Sequence, residues 1–406
     1  MIIIQKGLVI TVKILVINAG SSSLKFQLIE MEQRIVLIKG LVERIGMDGS
    51  CLKQDVGGQK TEKYSDIPSH KAAIRLVLDS LLEIGCISSL QDIDAVGHRV
   101  SHGGERFKTA VLIDDDVVKF LYEIIDLAPL HTPANISGIE ACRENLPNTP
   151  MSAVFDTTFH QTMPPFAYLY PIPMKYYEKY YIRRYGFHGT SHLYVARIAS
   201  KMLGRDLSEL KLITCHLGNG ASAAAIDCGK SVDTSMGFTP LEGIVMGTRS
   251  GDVDPAVVDY LCKRLNIQVE KAIEILNKES GLLGLSGISS DIRDVESAAK
   301  AGNAQAKLAL EVFAYRVKKY IGAYVAVLDG LDAVVFTGGI GENDPEMREM
   351  IVGNLSFFGL RLDKEHNQTR KTADVSIPGS RARILVVNTN EEMAIAEETR
   401  QLTVNR

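Results

Sequence analysis

Short apolar runs alternate along this chain with turns rich in Gly, Ser, Asn and Asp, and three of these units share one form. Ile14 to Ile17 is a continuous apolar run that suits a buried strand, Asn18-Ala-Gly-Ser-Ser-Ser is turn chemistry, and Leu24 to Ile29 is apolar again. The pattern predicts a hairpin whose glycine is able to take a positive φ and whose tip carries backbone N–H groups and the hydroxyls of Ser21 and Ser23. Such a tip can cradle a phosphate, with Lys25 at its exit as a point charge. A second copy follows half a chain later. Leu212 to Cys215 is apolar, His216-Leu217-Gly218-Asn219-Gly220 turns, and Ala221 to Ile226 is small and apolar. In the third, the run Ala333 to Phe336 leads into Thr337-Gly338-Gly339-Ile340-Gly341-Glu342-Asn343, and a helix is expected from Pro345. Three strand-to-glycine turns at this spacing point to an α/β fold of two duplicated halves gripping a nucleotide between them.

The remaining pattern fills in that outline. Residues 12 to about 60 read as an antiparallel meander, and His70 to Ile84 has helical spacing with Gly85 as its stop. Strands are expected at 94–100 and 152–156, each ending in charged or polar residues, with a helix from about Ile136 after the loop Pro129-Leu130-His131-Thr132-Pro133. Leu310, Phe313, Val317, Ile321, Tyr324 and Leu328 recur at spacings of three and four, so 304–328 is a long helix. A strand is expected at 384–387 and a closing helix from Glu391 to Arg406. The domain change belongs near the Tyr/Pro-rich connector 164–181. One lobe is then 12–160 with 388–406 returning to it, and the other is 161–387.

Composition narrows the partners. At 406 residues the chain is long for one core, which favours two domains. A net charge of −4 gives no reason to expect nucleic acid or an anionic membrane as partner. The six cysteines show no C-x-x-C spacing and read as reduced thiols of a cytoplasmic protein. The apolar start Met1 to Val12 is interrupted by Lys6 and is too short to span a bilayer. It lacks a small-residue cleavage site and is expected to be an extra strand or a fraying tail.

Polar residues gather in one part of the chain. Seven of the nine histidines lie between His98 and His216, several beside Gly or Pro at strand ends, where α/β folds place their ligands. No Cys/His ligand spacing points to zinc. Arg183-Arg184-Tyr-Gly-Phe187-His188-Gly-Thr-Ser-His192 and Met246-Gly-Thr-Arg249-Ser-Gly-Asp252 set cationic or imidazole groups next to glycine, where a phosphate could come close.

These segments, with Gly97-His-Arg99-Val-Ser101-His-Gly-Gly-Glu105 and Asp233-Thr-Ser-Met-Gly-Phe-Thr-Pro240, resemble the acetate kinase family from Val12 to the last helix. The family sits among the acetate and sugar kinases, chaperones and actins. The resemblance implies two actin-like, ribonuclease H-like ATPase domains with the nucleotide in the cleft between them, in a cytoplasmic homodimer. It implies transfer of the ATP phosphoryl group to acetate, giving acetyl phosphate and ADP, with Mg²⁺ (Mn²⁺ as a substitute). It places Asn18 and Glu391 at the metal, Lys25 on the ATP phosphates, and Arg99 on the substrate carboxylate. Asp156 matches the catalytic aspartate, and His188 and Arg249 the transition-state stabilisers. His216–Gly220, Asp291-Ile292-Arg293 and Gly339–Asn343 match the nucleotide segments. Ser101, Leu130, His131, Phe187 and Pro240 fall on the acyl side.

Phosphoryl transfer asks a protein mainly to position and neutralise, which two arginines, an imidazole and a hard cation can do. A small carboxylate, like a Glu side chain at about 4.3, is already ionised at neutral pH. No general base is needed, and Asp156 is expected to position the metal or its waters. Ser101 stands where acetate-preferring members have valine, so the expectation is acetate first and propionate accepted. A sugar kinase would instead need an aspartate acting as base on a hydroxyl. A filament-forming or chaperone ATPase would have less use for Arg99, His188 and Arg249.

Overall fold

A computed structural model describes residues 11–129 and 131–404. The chain forms two compact units, one running to Thr158 and resuming at Glu391, the other spanning Phe159–Asn390. Each unit holds one mixed sheet.

The first sheet contains β1 (Lys13–Ala19), β2 (Ser23–Glu30), β3 (Ile35–Glu43), β4 (Cys51–Val56), β5 (Gln59–Tyr64), β6 (Ala95–Val100), β7 (Val111–Leu112) and β8 (Met151–Phe155). Its order is β5-β4-β3-β2-β1-β6-β8-β7. Strands β1 to β5 form the expected meander, while β6 runs parallel to β1 and β8 parallel to β6. The second sheet contains β9 (Lys211–Leu217), β10 (Ala221–Asp227), β11 (Lys230–Thr234), β12 (Ala333–Thr337), β13 (Ala373–Asp374) and β14 (Arg383–Val386), in the order β11-β10-β9-β12-β14-β13. Here too the chain makes an antiparallel meander, then adds β12 parallel to β9 and β14 parallel to β12. Both sheets close with an antiparallel edge strand. The opening strands β1 and β9 share one burial pattern, half-buried only at their first and sixth residues. The two units are therefore copies of one plan, with β4 and β5 added to the first.

Burial on both faces explains the continuous apolar runs. Leu15 and Ile17 pack with Ile74, Val77 and Leu78 of the His70–Glu83 helix. Ile14 and Val16, pointing the other way, pack with Met393, Ile395 and Ala396 of the Glu391–Thr403 helix. In the second unit Ile213, Cys215 and Leu217 meet the Ala304–Leu328 helix, and Leu212 meets Val195, Ala196 and Ala199 of the Gly189–Leu203 helix.

Several local expectations change. The helix expected from about Ile136 starts at Thr132, because Pro133 fits the first turn, where no N–H is needed. Residues Gly338–Asn343 form a short helix rather than an open turn. Gly20 does not use a positive φ. What its lack of a side chain provides is room, since a Cβ there would sit 3.0 Å from Ser23 Oγ. Gly338 does need its positive φ of 76°, and a Cβ would strike the Leu217 carbonyl oxygen at 2.7 Å. The start of the chain and Leu130 lie outside the described residues.

Candidate active site

The first unit gathers its polar groups at the ends of β1, β6 and β8. The register pairs Ile17 with His98 and Arg99 with Val154, so Asn18 and Arg99 lie side by side on β1 and β6, and Asp156 follows two residues later, just past the end of β8. Arg99 Nε donates to Asp156 Oδ1 at 3.0 Å, its Nη2 closes the second arm of a bidentate pair with Oδ2, and its Nη1 reaches Asn18 Oδ1 at 3.3 Å. Asp156 is 2% exposed. Burial pushes its carboxyl up from the usual range; Arg99 opposes that, Glu391 adds to it, and His131 opposes it more weakly. Burial alone would lower Arg99, but the charges of Asp156 and Glu391 hold it above its usual value. Asn18, Arg99, Asp156, His131 and Glu391 thus form one electrostatic group. Arg99, expected on a substrate carboxylate, here has a protein carboxylate as its partner.

The turn beside this group is firmly held. Gly20 N–H donates to the Ser23 carbonyl at 2.8 Å, and His70 Nε2 lies 2.7 Å from the Gly20 carbonyl. Asn135, assigned no role from sequence, ties turn to strand: its amide donates to the Ala19 carbonyl at 2.8 Å and accepts from Ser101 N–H at 3.0 Å. Ser101 is buried, Ser21 and Lys25 are exposed, and Ser23 opens β2.

The second unit holds the other candidates. His188, at φ 58°, begins the Gly189–Leu203 helix. Its ring stacks on His216 with centroids 4.3 Å apart, and its Nδ1 lies 2.8 Å from Ser222 Oγ. His216 Nδ1 in turn lies 2.8 Å from Ser191 Oγ. Gly220 is flanked by both expected stabilisers, since a Cβ there would lie 3.5 Å from His188 Nε2 and 3.7 Å from Arg249 Nη1. The Arg249 loop rests on the Gly281–Ser286 helix: Leu282 and Leu283 N–H donate to the Met246 and Gly247 carbonyls, both at 2.9 Å. Burial lowers the Arg249 guanidinium from its usual range. Phe187 is buried and Pro240 half-buried, and the Pro240 carbonyl is 3.4 Å from Arg249 Nη1.

Three separate segments meet at one cavity of about 850 Å³. Gly218 and Asn219, then Asp291, Ile292 and Arg293, then Gly339, Ile340 and Asn343 all line it. Sequence reasoning missed Glu296, Lys300, Asp344 and Arg370 on the same wall. The Glu342 carboxylate is occupied nearby, accepting from Gly338 N–H at 2.9 Å and Thr389 N–H at 3.0 Å. Gly341 and Glu342 carbonyls accept from Arg348 at 2.8 and 3.0 Å, and Arg348 also holds the Asn367 and Thr369 carbonyls at 2.6 and 2.9 Å. Fully buried Arg348 carried no motif to mark it. Arg183 and Arg184, expected near a phosphate, serve the fold. Arg183 stacks on Tyr168 at 3.6 Å, while Arg184 binds the carbonyls of Thr234, Ser235 and Met236 at 2.9–3.1 Å and Glu242 at 2.5 Å.

Duplicated mixed sheets with glycine turns at their strand ends, and an imidazole and a guanidinium converging on one of those turns, define a class: α/β enzymes that handle phosphoryl groups. The comparisons give the family. The Acetokinase family matches residues 13–397. Acetate kinase of Thermoanaerobacter pseudethanolicus is 58% identical over 395 residues, 96% of this chain and 98% of the relative. That of Halothermothrix orenii is 56% identical over 394 residues, 96% and 99% of the two chains. Among solved structures, Porphyromonas gingivalis acetate kinase superposes with a TM-score of 0.94 at 46% identity over 96% of this chain and 99% of that one. A propionate kinase from Francisella tularensis gives 0.91 at 43%, over 96% and 100%. The chain belongs to the acetokinase family and is a kinase whose acceptor is a carboxyl group.

Proposed function

We propose that the chain transfers the γ-phosphoryl group of ATP to acetate, reversibly, by direct attack of the acetate carboxylate on phosphorus. The observation that carries this reading is that the His188 ring nitrogen Nε2 and the Arg249 guanidinium both flank Gly220, in the unit that also holds the cavity at Gly218 and Asn219. The cavity takes the nucleoside, with Asp291-Ile292-Arg293 and Gly339–Asn343 along it. In the second unit the turn His216–Gly220 takes the phosphates, and in the first unit Ser21, Ser23 and Lys25 are phosphate-contact candidates. The transition state is loose, with charge on the equatorial oxygens, and donors fixed before the reaction stabilise that charge without reorganising.

In the first unit Arg99, Ser101, Leu130 and His131 are assigned to the acyl acceptor; in the second, Phe187 and Pro240 are the apolar acyl-side candidates. To receive a substrate carboxylate, Arg99 uses donor capacity left over from Asp156, so Asp156 sets the guanidinium's angle. For the metal, the fit rests on donor chemistry. Asn18 offers an amide oxygen, and Glu391 and Asp156 offer carboxylates that already feel each other. Hard oxygen donors of this kind suit Mg²⁺ or Mn²⁺. Bound there, the ion would neutralise charge on the phosphate oxygens.

Acetate is preferred and propionate accepted. One methylene discriminates by about 1–3 kcal/mol, so propionate kcat/KM is expected roughly 10- to 200-fold below acetate. Ser101→Val should widen that gap. A hydroxamate assay with acetate, propionate and butyrate tests both points, and propionate above acetate would make the chain a propionate kinase instead. A cytoplasmic homodimer completes the reading. Tyr260, Leu265 and Val269, 65, 53 and 51% exposed, give the second unit apolar surface for a second copy, which sedimentation checks.

A further inference from the structure

Four buried or half-buried histidines of the second unit lie against one another; His192 and His188 share the Ser222 hydroxyl, while His160 and His216 touch them through ring contacts. His160 Nδ1 meets Ser231 Oγ at 2.7 Å, and its Nε2 meets the Phe187 carbonyl at 3.0 Å. Its ring lies edge-on to His192, with centroids 5.6 Å apart. His192 is fully buried, with Nδ1 2.7 Å from Thr214 Oγ1 and Nε2 2.8 Å from Ser222 Oγ. Ser222 Oγ also lies 2.8 Å from His188 Nδ1. Ser222 and Thr214 are themselves fully buried on the paired strands β10 and β9.

Counting protons restricts this chain. A serine hydroxyl has one hydrogen, and a neutral imidazole has one N–H and one bare nitrogen. Ser222 stands between two ring nitrogens, so if it donates to one ring it must accept from the other. His192 is held neutral, because burial, followed by its neighbours His160 and His216, lowers its basicity well below the ordinary range. With His188 neutral as well, two arrangements satisfy these bonds. In one, Thr214 O–H donates to His192 Nδ1, His192 Nε2–H donates to Ser222, and Ser222 O–H donates to His188 Nδ1. His188 then carries its hydrogen on Nε2. In the other, every bond is reversed and Nε2 is bare.

The side of the ring that matters is Nε2. It flanks the same point above Gly220 as the Arg249 guanidinium. An anion at that point is met by two donors in the first arrangement, and by one donor and a lone pair in the second. We propose that Thr214, His192 and Ser222 are positioning residues that hold His188 as a neutral imidazole with its proton on Nε2, so that it acts as a fixed hydrogen-bond donor to the transferring phosphoryl group. The inference rests on the proposed role of His188 but deepens it: His188 stabilises charge without having to be a cation.

The test reads the tautomer directly. The full-length wild-type protein, ¹⁵N-labelled at histidine, is examined by long-range ¹H–¹⁵N correlation at pH 7.5 with Mg²⁺, β,γ-imido ATP and acetate. His188 and His192 should each show a protonated Nε2 and a pyridine-like Nδ1. A protonated Nδ1 on either ring, or a doubly protonated His188, overturns the relay even if the enzyme makes acyl phosphate. Absence of acyl phosphate with the predicted tautomers would sink the proposed function and leave the relay standing. In Ser222→Ala, kcat should fall roughly 10- to 100-fold through loss of ring alignment, with nucleotide KM within about threefold. The His188 signals should then show a mixture of tautomers. An unchanged kcat with unchanged signals refutes the proposal.

Discussion

Asp156 shows how much a single residue's partners can revise a role. Its carboxylate is almost wholly buried and both oxygens face one guanidinium. A carboxylate in that position is a poor proton shuttle, because protonating it would break a bidentate pair. Removing one partner of a buried pair leaves the other charge uncompensated, at a cost of about 3–5 kcal/mol. Asp156→Asn is therefore expected to lose a large part of kcat/KM for acetate, roughly 100-fold or more, as Arg99 turns away from its working angle. Metal affinity, followed by Mn²⁺ titration, should weaken at the same time through the shared group with Asn18 and Glu391. Loss of kcat with metal affinity intact would mean that Asp156 acts on the reacting atoms alone. Asp156 stood out in the sequence because a carboxylate ending an apolar strand is conspicuous. Its pairing with Arg99, 57 positions away, depends on strand register, which no local pattern encodes. Asn135 was missed for the same reason, since its two bonds span 34 and 116 positions.

At the scale of elements, regular pieces were legible and cavity walls were not. The helices His70–Glu83 and Ala304–Leu328 follow apolar spacing closely, and Gly85 ends the first with φ 79°. The Ile292–Lys300 helix was read only at its first turn, through Asp291-Ile292-Arg293. Its next turn places Glu296 on the cavity beside Asp344, which caps the Pro345–Val352 helix. Burial first, and then a hydrogen bond and the charge of Asp344, push the Glu296 carboxyl up to about 8. Lys300 opposes the shift and Glu346 adds to it; Asp291, Arg293 and Arg370 line the same space. The sign follows directly. Glu296 is neutral at pH 7 and gains a negative charge as pH rises through about 8, which repels an anionic nucleotide. Nucleotide KM should accordingly rise a few-fold between pH 7 and 9, in keeping with about 1 kcal/mol for a like charge in a wet site. Glu296→Gln should flatten that rise while leaving acetate KM alone. An equal rise in the variant would assign the effect to another group.

For the whole molecule, duplication was legible because the two opening hairpins repeat both their apolar runs and their turns. The equivalence of β6 with β12 and of β8 with β14 was not, because segments of very different length and content lead from the meanders to β6 and β12. The two units also share a debt to neutral histidine. In the first unit His98 is 2% exposed on β6, and burial lowers it to about 3. In the second, burial lowers His160 to about 4, opposed by its bond to the Phe187 carbonyl and helped by Arg184, and burial likewise lowers His192 well below its ordinary value. An unfolded histidine takes up a proton below about 6.5, whereas these folded ones do not until much lower pH. The unfolded chain then binds more protons than the folded one, so stability is fully present above about 6.5 and is lost as pH falls toward the folded values. Each such histidine removes about 2 kcal/mol between pH 6.5 and 5. The second unit, carrying two of them, should lose more than the first. Urea unfolding at pH 7 and pH 5, followed by probes placed in each unit, measures the difference. His160→Gln should cost stability at pH 7 through its lost bond to Ser231, yet remove about 2 kcal/mol of the second unit's acid sensitivity. If the variant loses as much stability as the parent between the two pH values, the acid sensitivity arises elsewhere, and the neutral histidine chain is not what ties this fold to neutral pH.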